Sequence, residues 1–208
     1  MQQETLPVPI TQVGSFFMKE DPVHRALTEL ARKLDQEGIS YALAGAMALG
    51  YHGFVRVTQD IDLIMTREGL KKFREVLLGV GYVPAFAGAN KRYKDTVNGV
   101  RIDVLVTGEY PGDGKPKAIA FPDPKEAHEI IDGVRVVVLT KLIELKLASG
   151  LSAPHRISDL GDVQKLIEFA NLPADLAESL DPSVRSEYVR LWDATRQAQE
   201  QNVGPDRE

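Results

Sequence analysis

The stretch Thr58-Gln59-Asp60-Ile61-Asp62-Leu63-Ile64-Met65 sets two carboxylates into a run that otherwise reads as a buried strand. Side chains two apart on a strand share a face, about 7 Å apart along the backbone. Asp60 and Asp62 therefore look the same way and repel each other unless positive charge lies between them. A divalent metal is the simplest source of that charge. An aspartate at a strand end also has an ordinary role, capping the next turn, and either acid alone is explained by it. The case for chemistry rests on what surrounds the pair.

Upstream, Ile39-Ser40-Tyr41-Ala42-Leu43-Ala44 reads as a strand that runs into Gly45-Ala46. A short helix carrying Met47, Leu49 and Tyr51 follows and stops at His52-Gly53. Strand, glycine turn and helix start in succession make a phosphate-binding geometry, although on spacing alone Gly45 reads equally well as a residue that permits a tight bend. Downstream, residues 100–106 alternate, with Ile102, Val104 and Val106 on one side and Arg101, Asp103 and Leu105 on the other. Asp60, Asp62 and Asp103 are thus three candidate metal carboxylates, and hard oxygen ligands of this kind suit Mg²⁺ or Mn²⁺.

Taken together, these residues resemble the nucleotidyltransferase superfamily, with its glycine turn, Asp-x-Asp on the next strand and a third Asp on a later one. Within it the chain is similar to the branch of AbiEii-type toxins and their uncharacterised relatives. Gly45-Ala46-Met47-Ala48, Gly53 and Arg56-x-Thr58-x-Asp60-Ile61-Asp62 look like that branch's first motif. Leu142-Ile143-Glu144-Leu145-Lys146, followed by Arg156-Ile157-Ser158-Asp159-Leu160-Gly161-Asp162, looks like its helical lysine and Asp-x-x-Asp motif. The resemblance implies a mixed α/β sheet flanked by helices, with a C-terminal helical extension. It further implies in-line attack on the α-phosphate of a nucleoside triphosphate such as ATP or GTP, with Mg²⁺ or Mn²⁺ held by the three acids. Gly45, Ala46, Arg56, Thr58, Lys146 and Asp162 are its candidate nucleotide-binding residues. Ala46 stands where the superfamily often has a serine, which leaves only backbone donors there. RNA, tRNA in particular, is the implied acceptor and a neutralising antitoxin the implied partner. A small-molecule acceptor and a catalytically silent nucleotide-binding module are the alternatives.

Arg56 has two readings, a phosphate contact or an ion pair with a carboxylate. His52 reads as a helix-end residue. Asp159 and Asp162, three apart, lie on one helix face, either compensating a helix N-terminus or, by resemblance, ordering Lys146 or touching nucleotide.

At 208 residues the chain accommodates a small α/β domain, expected over 1–138, with a helical region over 139–208 packed on it. Cysteine is absent, which excludes disulfides and thiolate chemistry. No apolar run approaches a membrane span, and the polar Met1-Gln2-Gln3-Glu4 with Pro7-Val8-Pro9 gives no leader, so a cytoplasmic protein with no membrane partner is expected. The net charge of −5 argues against a broad non-specific grip on nucleic acid but leaves room for a local basic patch. Helices are expected over 22–38, from Thr66 as N-cap to about 79, from Thr140 as N-cap to 149, over 157–170 and over 184–199. Asn98-Gly99 predicts a two-residue hairpin between 91–97 and 100–106, which sets Lys94 opposite Asp103. Residues 107–124, rich in proline and glycine, predict a long loop of the kind that covers a site.

Overall fold

The computed structural model describes residues 21–202. The N-terminal stretch with Pro7-Val8-Pro9 and the last six residues lie outside them. Helix α1 (Pro22–Gln36) starts where Asp21 accepts a hydrogen bond from the Val23 amide at 3.0 Å, with Pro22 fixing the first helical φ. It buries Val23, Ala26, Leu27, Leu30, Ala31 and Leu34 at the predicted spacing. Gly38, at a φ of +62°, then turns the chain into the first strand.

Strand β1 (Ala42–Ala44) leads into the short helix α2 (Gly45–Tyr51), then β2 (Asp60–Met65) and α3 (Arg67–Val76). The Thr66 hydroxyl caps α3, as expected, by accepting from the Gly69 amide at 3.0 Å. Strands β3 (Tyr82–Pro84), β4 (Arg92–Asp95) and β5 (Arg101–Val106) follow. Beyond the loop come β6 (His128–Ile131), β7 (Val134–Val137) and helices α4 (Leu139–Ser152), α5 (Ser158–Phe169) and α6 (Pro182–Asn202).

The strands form one mixed sheet in the order β3-β4-β5-β2-β1-β7-β6. Strand β2 lies antiparallel to β1 and parallel to β5, so that Asp62 has Ala44 on one side and Asp103 on the other. Ile61 and Leu63 point into the core while Asp60 and Asp62 take the opposite face, the alternation that the sequence dictates. One continuous apolar core runs from Val23 of α1 through the sheet to Leu191 of α6.

Three sequence expectations need correction. The β4–β5 turn spans four residues instead of two: the Asp95 side chain accepts from the Val97 amide at 2.8 Å and from the Asn98 side chain at 2.7 Å, and the Asp95 amide pairs with the Val100 carbonyl. This Asx-type turn outcompetes the tighter Asn-Gly turn. The register consequently shifts by two residues, and Arg92, not Lys94, lies opposite Asp103, while Lys94 faces Arg101. The even shift keeps every side chain on its predicted face. Helix α4 begins at Leu139 with no side-chain cap, so Thr140 sits inside its first turn. Strand β6 was not anticipated, although Asp132 and Gly133, both at positive φ, make a two-residue hairpin turn into β7.

Candidate active site

A cleft of about 380 Å³ opens beside the carboxyl pair, between the sheet, the α4–α5 layer and the 107–124 loop. Its floor holds Gly45, Asp62 and Asp103. A Cβ built on Gly45 would lie 1.9 Å from Asp62 Oδ2, and its φ is +64°. Glycine is therefore required twice over, for the backbone conformation and for the close approach of the acid.

Asp62 and Asp103 are register partners on adjacent parallel strands, whose backbones lie about 4.8 Å apart. Burial, reinforced by the Asp103 charge, pushes the Asp62 carboxyl up to about 6, with Lys146 pulling the other way. The Asp62 carboxylate makes no hydrogen bond or ion pair with any described residue. Burial also pushes Asp103 up, against the pull of Arg92, whose Nε lies 3.7 Å from Asp103 Oδ2. Two acids facing each other, one without a partner and the other met only by exposed Arg92, form a place that favours a cation.

Asp60 is arranged differently. Its register partner Arg101 grips it in a fork, Nε to Oδ1 at 2.6 Å and Nη2 to Oδ2 at 2.9 Å. Among the described residues, no group of three histidine, aspartate or glutamate side chains converges closely enough to hold a metal ion.

Facing the acids across the cleft is a chain of charges. Lys146 of α4, buried, donates to Asp159 Oδ1 at 2.8 Å and to Asp162 Oδ2 at 2.6 Å. Arg56, from the segment before β2, donates to Asp162 Oδ1 at 2.7 Å. Arg156 donates to Asp159 Oδ2 at 2.9 Å, and the Ser149 hydroxyl reaches the same oxygen at 2.7 Å. Burial alone pushes the Asp159 carboxyl up, but the Lys146 charge, hydrogen bonds from Lys146 and Ser149 and the Arg156 charge hold it below its ordinary value. The α4–α5 approach that builds this network depends on Gly150, where a Cβ would meet Leu160 at 2.6 Å. Three cations on two anions leave one positive charge in excess, and half-exposed Arg156 presents it to the cleft.

Of the residues singled out from sequence, Gly45, Asp62, Asp103 and Lys146 line the cleft. Ala46, Arg56 and Thr58 line a neighbouring groove of about 150 Å³, and Arg56 takes the carboxylate pairing of its two readings. Asp162 orders Lys146 from behind. His52 is a helix-end residue whose Nε2 lies 2.8 Å from the Val137 carbonyl oxygen. Arg92 lines the cleft as well, and so do Tyr110, Phe121, Ser149, His155 and Arg156, which were not among the sequence candidates. Arg156 had a signal, since it stands three residues before Asp159 in the motif.

The seven-stranded mixed sheet flanked by helices is a fold found in solved structures of nucleotidyltransferase-like proteins. An antigenic nucleotidyltransferase-like protein from Paracoccidioides brasiliensis shares it, with a TM-score of 0.51 at 18% identity over 81% of this chain and 93% of its own. The antibiotic-resistance factor ANT(2'')-Ia also matches, at a TM-score of 0.45 and 15% identity over 91% of this chain and 97% of its own. No protein-family model and no curated protein matches the chain.

Proposed function

We propose that this chain is a metal-dependent nucleotidyltransferase that moves a nucleoside monophosphate from a nucleoside triphosphate to an acceptor hydroxyl. The observation that carries the reading is the pair Asp62, whose carboxylate has no partner, and Asp103, met only by exposed Arg92 at 3.7 Å, on the floor of a cleft with Lys146 and Arg156 across from it. A like-charge pair in a half-buried site costs stability, and a fold has no structural use for it.

The donor set fits a hard divalent cation, with Asp62 and Asp103 as ligands and Asp60 available once Arg101 releases it. When bound, Mg²⁺ or Mn²⁺ supplies Lewis-acid stabilisation of the phosphoryl oxygens and activates the acceptor hydroxyl. The remaining work falls to the chain's own groups. Gly45 leaves room for the Asp62 carboxylate on the floor because it adds no side chain there. Lys146, fixed by Asp159 and Asp162, and Arg156 place positive charge where negative charge grows on the departing pyrophosphate. Arg56 acts through Asp162 and is a positioning residue.

For the acceptor, the AbiEii-like motifs favour RNA, tRNA in particular, with a cognate antitoxin as partner. Exposed Arg92, Lys94 and Arg101 share the sheet face of Asp103 and suit an anionic acceptor. The second reading is a catalytically silent nucleotide-binding module, favoured by the Arg101 grip on Asp60. Incubation with each α-³²P nucleoside triphosphate, Mg²⁺ and total tRNA separates the two. Label on RNA that disappears in Asp62→Ala and Asp103→Ala is the expected result. Nucleotide binding without label on any acceptor, with both variants folded, would leave the silent module standing.

A further inference from the structure

The 107–124 loop is built as a strap across one flank of the cleft, and it is fastened at three levels. At its root, the Thr107 hydroxyl donates to the Met65 carbonyl at 3.2 Å and the Pro122 carbonyl at 3.0 Å. Along its legs, the Gly108 amide donates to the Phe121 carbonyl and the Phe121 amide to the Glu109 carbonyl, and the Glu109 side chain is clamped by Lys91 at 2.6 Å. At its far end, Lys117 donates to the Pro111 carbonyl and Asp113 at 2.6 Å each, and to Ser152 of α4 at 3.1 Å. Gly112 lies so close to α4 that a Cβ there would meet Ser152 Oγ at 2.2 Å and the Ser149 carbonyl at 2.7 Å.

What this fastening presents to the cleft is aromatic. The backbone pairing brings the two legs together beside Tyr110, and both Tyr110 and Phe121 line the cavity. Phe121 packs on the apolar core. Tyr110 is half-buried, yet it has no hydrogen bond, ion pair or ring contact with any described residue. An aromatic ring held on a fixed loop without an internal partner, in a cleft that carries acids on its floor and cations across from them, is a platform for a planar ligand group.

We propose that Tyr110, held by the strap and backed by Phe121, stacks on the nucleobase of the donor triphosphate and is a binding residue for it. The proposal rests on the nucleotidyltransferase reading and adds the part of the cleft that recognises the base. Stacking on a ring is tolerant of base identity because every base has a π-face, so the shelf binds all four nucleotides. Purines, with the larger face, gain most.

Calorimetric titration with the four α,β-methylene nucleoside triphosphates and with inorganic tripolyphosphate, each with Mg²⁺, tests this. Tyr110→Ala is expected to weaken nucleotide binding about tenfold and to leave tripolyphosphate binding unchanged, with Tyr110→Phe restoring the nucleotide. In Tyr110→Trp, nucleotides quench the new indole fluorescence above the Trp192 background and tripolyphosphate does not. Equal weakening of both ligands, or unchanged nucleotide binding in Tyr110→Ala, overturns the stacking role and leaves the transferase reading intact. If the wild-type protein binds neither ligand, the transferase reading itself fails and the shelf with it.

Discussion

At neutral pH, Asp62 carries charge on a carboxyl whose proton affinity burial and Asp103 have raised from 3.8 to about 6. A folded pKa above the unfolded one means that the charged form is disfavoured in the native state. The resulting loss of stability is absent below about pH 4, grows through pH 4–6 and is complete above it. With screening in a half-open cleft, it amounts to about 1–2 kcal/mol. Asp62→Asn is therefore expected to be more stable than wild type by that amount at pH 7.5 and equal to it at pH 3.5, in urea unfolding without divalent ions. A variant less stable at pH 7.5 would mean that the charge is compensated. Arg101 offers a second handle on the same site. It is 61% exposed, so its grip on Asp60 contributes little to folding, but it occupies a carboxylate that a cation would use. Arg101→Gln is expected to bind Mn²⁺ several-fold more tightly, read by calorimetry, with an unchanged melting temperature. Gly45→Ala acts in the opposite sense, since the new Cβ displaces the Asp62 carboxylate, and Mn²⁺ binding is expected to disappear in it.

Between elements, α4 and α5 are joined by buried charge as well as by apolar contact. Lys146→Met leaves Asp159 to Arg156 and Ser149 and Asp162 to Arg56. Removal of one partner from a buried ion pair costs about 3–5 kcal/mol when the other charge is left alone, so a loss of about 2 kcal/mol is expected here. The double variant Lys146→Met with Asp162→Asn is expected to recover part of that loss in denaturant titration. Additive destabilisation in the double variant would argue against coupling. How much of this was legible from the chain follows the range of the interactions involved. The alternation around Asp60 and Asp62, the helical face of α1 and the Thr66 cap were readable because neighbours two to four residues apart determine them. The β4–β5 register departs from the Asn-Gly expectation because Asp95 builds its own turn, a local competitor that the dipeptide signal does not include. Strand β3 was missed because Gly81 and Pro84 disguise it, while tertiary packing of Tyr82 on Phe73 holds it in the sheet. The Arg101 grip, the Arg56–Asp162 pair and Tyr110 as a cleft wall depend on residues brought together over long separations, and no spacing rule reaches them.

On the scale of the whole molecule, the continuous core makes the sheet and the C-terminal helices one packing unit. Trp192 of α6, hydrogen-bonded to the Leu172 carbonyl at 2.9 Å, reports on the helical side. Its fluorescence and the far-ultraviolet dichroism are expected to give coincident unfolding midpoints in guanidinium chloride. Separate midpoints would mean that the regions 1–138 and 139–208 fold independently. The cleft draws on the whole length of this unit: Asp62 and Asp103 come from early strands, Tyr110 from the strap, Lys146 and Asp159 from helices laid over them. Synthesis runs from the N-terminus, and Lys146, Arg156 and Asp159 are added only after both acids and the strap. A chain translated only as far as the strap thus carries the acids without the cations that face them, and no cleft is assembled until α4 and α5 are added.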